Sequence, residues 1–421
     1  MENNRTTFLI GAGTPLDLVL PQDVIKPSTT EITNDVRRVY THYLTQGDTI
    51  TIVDDIYNWL MKNYPPDRSN PYVGETPTPY IHFEHLFHVL EMLDAYSWVW
   101  SRNSKNPNLY PVFAPFVQPN ISFDTNTLSS VMDQFILRIM DIVNGYDSNF
   151  LNYHTNEWYW KFYQQFAKDS DFFVLNYDAT IEKAIGTYED GFEADGIQNV
   201  FLRFNPKRLF ENPNGLSTIN HMHGCINYYF QSYKNINEDT YTFLFHDLYK
   251  YPDYATVKGL MTGRGQSQPC TQSGETYYSS PIVTGLRKTD KLNCVPFDFY
   301  HANIIRNHKL VIAGYSFGDL YCNNLLERMN FLHGDQKRIV LIDFWNIQKG
   351  DRIYWLNQNQ GQFLCHMTNC GDFDGVIHQL YKNENSQTGA LYSDNGCLMV
   401  LPKGFKHAAT CSNEIVAFLN S

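Results

Sequence analysis

The sequence is poor in charged residues and has no excess of basic ones. Charged residues make up 18% of the 421 positions, and 44 acidic residues against 32 basic ones leave a formal net charge of −12. Nucleic-acid-binding proteins usually carry a basic surface or stripe, so direct binding of nucleic acid is not expected. An anionic cofactor is still compatible with this charge, because backbone N–H groups at helix N-termini bind phosphate.

The eight cysteines include no C-x-x-C pair. The two closest, Cys365 and Cys370, have four residues between them, a spacing that does not build half of a four-cysteine zinc site. We therefore predict no metal. Scattered cysteines without a recognisable signal peptide indicate reduced thiols and a cytoplasmic protein. No run of 18 apolar residues occurs, so no membrane span is expected.

Hydrophobic residues are plentiful, and their pattern predicts an α/β fold. They make up 43% of the chain, and the 29 tyrosines and 28 phenylalanines, with few charges, suggest a surface partly covered by other subunits of a homo-oligomer. Apolar runs at 6–10 and 171–175 end in turn residues, as buried parallel strands do. We predict a doubly wound, mostly parallel Rossmann-like sheet, formed by about 5–32 and 169–350 and split by a helical insertion at about 33–168. Residues 351–421 show low periodicity and are expected to form a C-terminal extension, packed on the core or in contacts with other subunits.

Two turns near predicted strand ends are candidates for nucleotide binding. Gly11-Ala12-Gly13 follows the first strand and precedes a predicted helix, so its backbone can approach a pyrophosphate. Position 16 is Leu, so the full dinucleotide fingerprint is absent, and a turn without special function is the alternative. Asn176 and Asp178 end a strand at the expected ligand-binding edge. Capping of the next helix would also explain them.

His221 and His223 are two residues apart on a predicted strand, so they should share a face. A metal site would need a third ligand, and no His or carboxylate at a suitable spacing supplies it. Gly224 leaves room beside the His223 ring, whose neutral imidazole suits a general base. A structural histidine is the alternative for either residue.

The segment Gly314-Tyr315-Ser316-Phe317-Gly318-Asp319 forms a second strand–glycine-turn–helix unit, able to present N–H groups to phosphate or ribose. It also matches the G-x-S-x-G nucleophile elbow, with Asp343 and then His366 or His378 in the right order for a serine-hydrolase triad. That hydrolase would leave the upstream motifs unexplained. Asp343 at the next strand end would accept ribose hydroxyls and repel a 2′-phosphate, or would be an ordinary turn residue.

Taken in order, these motifs resemble the sirtuin family, and more closely the sirtuin-like NAD-consuming domains of bacterial anti-phage defence systems. The resemblance covers roughly residues 5 to 345, although Pro15 and Val19 depart from the usual pattern of the first loop. The missing zinc ribbon argues against protein deacetylation. The resemblance therefore implies an NAD glycohydrolase that cleaves NAD to nicotinamide and ADP-ribose.

The resemblance also implies roles for the candidate residues. Asn176 would hold the nicotinamide ribose and orient water, His223 would act as base, and Asp178 would position the nicotinamide end. NAD would further contact the backbone or side chains of Gly11, Ala12, Gly13, Gly314, Ser316, Asp319 and Asp343. Such an enzyme would be held silent until triggered, by a partner such as a HerA-type ATPase or another defence subunit. Two other hypotheses for the function are a sensor of NAD or ADP-ribose and a protein ADP-ribosyltransferase.

Overall fold

The structure is a computed structural model that describes most of the chain. The described residues are 5–38, 41–43, 49–63, 81–102, 125–194, 202–234, 241–242, 248–260, 276–279, 282, 295–345 and 358–421. The expected domain boundary between residues 350 and 351 lies outside these ranges. No helix in the described part of the chain is long and apolar enough to cross a membrane.

A seven-stranded sheet forms the centre of the molecule. Its strands, in chain order, are β1 (Thr6–Ile10), β4 (Ser170–Val174), β7 (Thr218–His221), β12 (Lys309–Ala313), β13 (Arg338–Ile342), β14 (Leu391–Tyr392) and β15 (Leu398–Leu401). Six strands are parallel, and only β14, at one edge, is antiparallel. Runs such as Phe8–Ile10 are buried because helices cover both faces of the sheet, as parallel sheets require.

The spatial order of the strands is β14-β15-β13-β12-β1-β4-β7. Counted along the chain, the six parallel strands follow the order 3-2-1-4-5-6 of doubly wound dinucleotide-binding sheets. The order reverses between β1 and β12, and ligands of such sheets bind outside the carboxyl ends of the strands at that reversal. The prediction of an α/β fold with a mostly parallel, Rossmann-like sheet is confirmed.

The C-terminal region is part of this sheet. Residues 358–421, which the sequence assigns to an extension, contribute β15, paired in parallel with β13, and the edge strand β14. The side chains of β15 are fully buried. The sheet therefore takes its sixth parallel strand from residues outside the predicted core of 169–350. We correct that assignment: the Rossmann-like sheet extends to residue 401.

Two layers of helices sandwich the sheet, and alternate residues of each strand point to opposite layers. Leu9 packs with one layer, whereas Phe8 and Ile10 pack with the other. The helices of the first layer are α9 (Val295–Arg306), α10 (Leu320–His333), α11 (Gln358–Thr368) and α12 (Phe373–Lys382). Those of the second are α5 (Glu157–Gln165), α6 (Thr180–Ile185), α13 (Phe405–Thr410) and α14 (Ser412–Leu419).

A second apolar core lies beside the sheet and joins two groups of elements. Between β1 and β4 the chain forms α1 (Thr29–Val36), β2 (Thr41–Tyr43), β3 (Thr49–Thr51), α2 (Ile52–Asn63), α3 (Phe83–Arg102) and α4 (Thr125–Asn149). The other group is α7 (Pro206–Glu211), α8 (Tyr254–Leu260) and a small sheet of β5 (Phe192–Ala194), β6 (Leu202–Phe204), β8 (Tyr228–Lys234), β9 (Tyr241–Thr242), β10 (Leu248–Lys250) and β11 (Thr276–Ser279). The helical character predicted for residues 33–168 holds for most described residues there, with a two-stranded pairing of β2 and β3 in addition.

If β15 is integral to the core, Leu398→Ala should destabilise the whole protein. Leu398 has no exposed surface, and replacing a buried leucine by alanine costs about 2–5 kcal/mol in the free energy of unfolding. Urea denaturation measures the change. Leu320→Ala is the matched control, because Leu320 is 71% exposed and should change stability by no more than about 0.5 kcal/mol. Equal midpoints for the two variants would show that β15 is not part of the cooperative core.

Candidate functional site

The two predicted glycine turns meet at the point where the strand order reverses. Gly11 N–H donates to the Ala313 carbonyl at 2.9 Å, and Gly13 N–H donates to the Gly314 carbonyl at 2.9 Å. A Cβ on Gly11 would lie 2.5 Å from the Gly314 oxygen, and one on Gly13 would lie 2.7 Å from Gly314 Cα. Gly314 also has a φ of +59°, in the left-handed region that favours glycine. The glycines are thus required for backbone packing, whatever ligand the turns bind.

The helix predicted after Gly13 is only one short 3-10 turn, Thr14–Asp17. Pro15 is buried at its start, and α1 begins much later, after its N-cap Ser28. A full helix dipole is therefore not aimed at the first turn. The N–H groups of Gly11, Gly13 and Thr14 already donate within the protein. A phosphate contact at this place would therefore come from the N–H of the exposed Ala12.

Asn176 lies at the carboxyl end of β4 and reaches across to the first glycine turn. Its Nδ2 donates to the Gly11 carbonyl at 3.2 Å. Its Oδ1 is buried and has no hydrogen-bond partner among the described residues. A buried unpaired acceptor costs about 1–3 kcal/mol. Asn176 Oδ1 is therefore a ready acceptor for a hydroxyl or water at the ligand-binding edge of the sheet.

Asp178 has contacts within the protein for both oxygens. The Tyr146 hydroxyl donates to Oδ2 at 2.7 Å, and the Thr180 N–H donates to Oδ1 at 3.1 Å. The Thr180 hydroxyl also donates to Oδ1. These bonds connect α4 to the start of α6. Asp178 therefore holds the first turn of α6 against α4, although the N-cap of α6 is Ala179 and has no side-chain cap bond.

His223 contacts Asp319, a residue 96 positions away. Its Nε2 donates to Asp319 Oδ2 at 3.0 Å, and its Nδ1 lies 3.2 Å from the Leu175 carbonyl oxygen. Asp319 is also the N-cap of α10, because its Oδ1 accepts from the N–H groups of Tyr321 and Cys322. One carboxylate therefore caps a helix and orients the imidazole.

His221 and His223 do not share a face, contrary to the prediction. The strand β7 ends at His221, so the alternation of side chains does not continue to His223. His221 Nε2 donates to Glu182 Oε1 at 2.7 Å, and its Nδ1 faces the Asn176 carbonyl at 3.2 Å. Burial lowers the pKa of His221, but the Glu182 carboxylate outweighs burial and raises the pKa above its usual value. Burial also raises the pKa of the neighbouring Cys225 thiol.

Ser316 is exposed in the turn between β12 and α10. The left-handed φ angles of this turn belong to Gly314 and Phe317, which flank Ser316, whereas a nucleophile elbow strains the serine itself. Among the described residues, Asp343 makes no hydrogen bond to His366 or His378. The geometry therefore does not support the serine-hydrolase triad.

Asp343 follows β13 and is half-buried beside the second glycine turn. Its Oδ2 accepts from Gln360 Nε2 at 2.6 Å, and its Oδ1 accepts from Phe344 N–H at 2.8 Å. Burial raises its pKa, and these hydrogen bonds partly offset that effect. Gln360 was not predicted, because it lies in the C-terminal region to which no site was assigned. Glu182 was missed as well, since a lone helical glutamate has no distinguishing sequence signal.

No protein-family model matches the chain. Nor does any curated protein match it. The function therefore has to be inferred from the chemistry of these residues.

The contact between the glycine turns predicts that Gly11→Ala destabilises the protein. Overpacking of this kind costs about 1–3 kcal/mol, and the obstructing atoms are backbone, which moves less easily than a side-chain end. Gly259→Ala in α8 is the control, because a Cβ there meets no atom within 4 Å and alanine favours helix. Thermal unfolding measures both variants. A Gly11→Ala protein as stable as the parent would contradict the contact.

Proposed function

We propose that the chain binds NAD where the strand order reverses and cleaves its N-glycosidic bond to nicotinamide and ADP-ribose. The observation that carries the proposal is the pairing of two groups at the carboxyl edge of one doubly wound sheet. These are the unpaired Oδ1 of Asn176 and the His223 imidazole held by Asp319. Both lie near the glycine turns that such sheets use for dinucleotides.

The reaction needs few groups from the protein. Nicotinamide in NAD is a cationic leaving group and requires no general acid, so catalysis must stabilise the oxocarbenium-like ribose and activate water. Asn176 Oδ1 accepts a hydrogen bond from a ribose hydroxyl or from that water. His223 accepts a proton at Nδ1 once its 3.2 Å contact with the Leu175 carbonyl opens. The Asp319 carboxylate at Nε2 stabilises the resulting imidazolium, as in other His–Asp pairs.

The remaining contacts to NAD follow from exposure and charge. The backbone N–H of Ala12 approaches the pyrophosphate, and exposed Ser316 approaches a ribose. Asp343 accepts ribose hydroxyls and disfavours a 2′-phosphate, which selects NAD over NADP. Its existing bond from Gln360 limits the rotation of the carboxylate.

The biological setting follows from the resemblance to defence enzymes. The chain acts in the cytoplasm as a regulated effector that depletes NAD in an abortive response to phage. The elements between β1 and β4 form an insertion that splits the doubly wound domain, and they provide contacts for a homo-oligomer or for a sensor partner such as a HerA-type ATPase. Membrane and nucleic acid are not direct partners.

A sensor of NAD or ADP-ribose is the second candidate. It is favoured by the fact that both nitrogens of His223 already face acceptor oxygens, so the base must give up one contact before it acts. Protein ADP-ribosylation differs only in the acceptor. Labelled NAD separates the three: free ADP-ribose indicates hydrolysis, label on protein indicates transfer, and intact bound NAD indicates sensing.

His223→Ala should lower NAD turnover by about 10²–10⁴-fold, the usual contribution of a general base. Chromatography of nicotinamide and ADP-ribose measures the rate, with and without lysate of phage-infected cells to supply a trigger. His154→Ala is the matched control, because the side chain of His154 is 98% exposed. Turnover by His223→Ala at the parent rate would remove His223 from the mechanism.

Asp319→Asn should separate helix capping from catalysis. Asparagine caps a helix about as well as aspartate, so stability should change by only a few tenths of a kcal/mol. Turnover should drop by at least about ten-fold and up to about 10⁴-fold, because the imidazolium loses its countercharge and tautomer control. Asp372→Asn, at the N-cap of α12, should leave turnover unchanged. Equal turnover by the two variants would argue against the His223–Asp319 pair.

A further inference from the structure

Three buried side chains converge on the side of the His223 turn that faces α6. Glu182 comes from α6, His221 from the end of β7, and Cys225 from the turn that leads to β8. Each offers one ligand atom, a carboxylate oxygen, an imidazole nitrogen and a thiol sulfur, and these atoms all lie within 4.8 Å of one another. From this geometry we infer a binding site for a zinc ion at Glu182, His221 and Cys225.

The chemistry of the three ligands fits zinc. Zn²⁺ binds Cys sulfur at about 2.3 Å, His nitrogen at about 2.0–2.1 Å and carboxylate oxygen at about 2.0–2.2 Å. Tetrahedral geometry with these bonds separates ligand atoms by about 3.3–3.8 Å. The ion takes the place of the proton between His221 Nε2 and Glu182 Oε1. These two atoms are 2.7 Å apart, so their separation must increase slightly when the ion binds.

Two further observations point to a ligand at this place. Glu182 Oε2 is buried and has no hydrogen-bond partner among the described residues. His221 Nδ1 faces the Asn176 carbonyl, and that hydrogen bond makes Nε2 the metal-binding nitrogen. Zinc-binding histidines are commonly oriented in this way by a backbone carbonyl at the second nitrogen.

Charge and space are also suitable. One thiolate and one carboxylate balance the two charges of the ion, so no net charge is buried at the cluster. A cavity of about 30 Å³, large enough for a water molecule, borders His221 and Gly224 on one side of the cluster. Because His221 and Cys225 flank His223 and Gly224, the ion serves as a structural clamp on that turn.

The test is zinc retention by the full chain after chelator treatment, loading with Zn²⁺ and dialysis, measured by elemental analysis. The parent should retain about one ion per chain, and Cys225→Ser should bind it at least about ten-fold more weakly. Cys322→Ser is the matched control, because Cys322 is equally buried but lies outside the cluster. No retention by the parent, or equal loss in both variants, would overturn the site.

Loading with Co²⁺ gives a second readout. It is measured first in the parent protein, so it does not depend on the folding of any variant. A thiolate–cobalt charge-transfer band should appear in the parent and persist in Cys322→Ser. In Glu182→Gln, which keeps the shape of the side chain, the band should require more Co²⁺. Cobalt bound by the parent without a thiolate band would exclude Cys225 as a ligand and refute the proposal. Both readouts are independent of NAD turnover, so they test the zinc site separately from the proposed enzyme.

Discussion

The carboxyl ends of β1 and β12 are held together by backbone contacts that leave no space for a side chain. Gly11 and Gly13 each lie against Gly314, and each would bring a Cβ within 3 Å of its backbone. The Gly11 carbonyl is therefore fixed, and it accepts the amide of Asn176. One end of the Asn176 amide is bound there, and Oδ1 at the other end is buried without a hydrogen-bond partner among the described residues. The orientation of the proposed catalytic asparagine is thus a consequence of how the two turns pack.

Two features of the site lower the stability of the fold, so a protein without a ligand site would be more stable without them. The unpaired Oδ1 of Asn176 costs about 1–3 kcal/mol, and a phenylalanine held at a φ of +57° costs a similar amount. Both follow strands that flank β1, β4 for Asn176 and β12 for Phe317, in the sheet region that binds ligands in this architecture. Asp319 adds a coupling between stability and chemistry, because the carboxylate that caps α10 also holds His223. Local features that reduce stability are typically concentrated at functional sites.

The sequence predicts those parts of the fold that are encoded locally. Apolar runs followed by glycine or asparagine identified β1, β4 and β12, and with them most of the residues at the switch point. It did not reveal β15, because Leu398–Leu401 is a short apolar run, and its position depends on pairing with β13. The His223–Asp319 and Asp343–Gln360 contacts were also not predictable, since each joins residues from separate elements that only the folded sheet brings together.

Asn176 links the buried His221 to the first glycine turn. Its carbonyl accepts from His221 Nδ1, while its side-chain amide donates to Gly11. Glu182 holds the other ring nitrogen of His221, so one chain of hydrogen bonds runs from Glu182 through His221 and Asn176 to Gly11. His223 is bound into the same turn, two residues beyond His221.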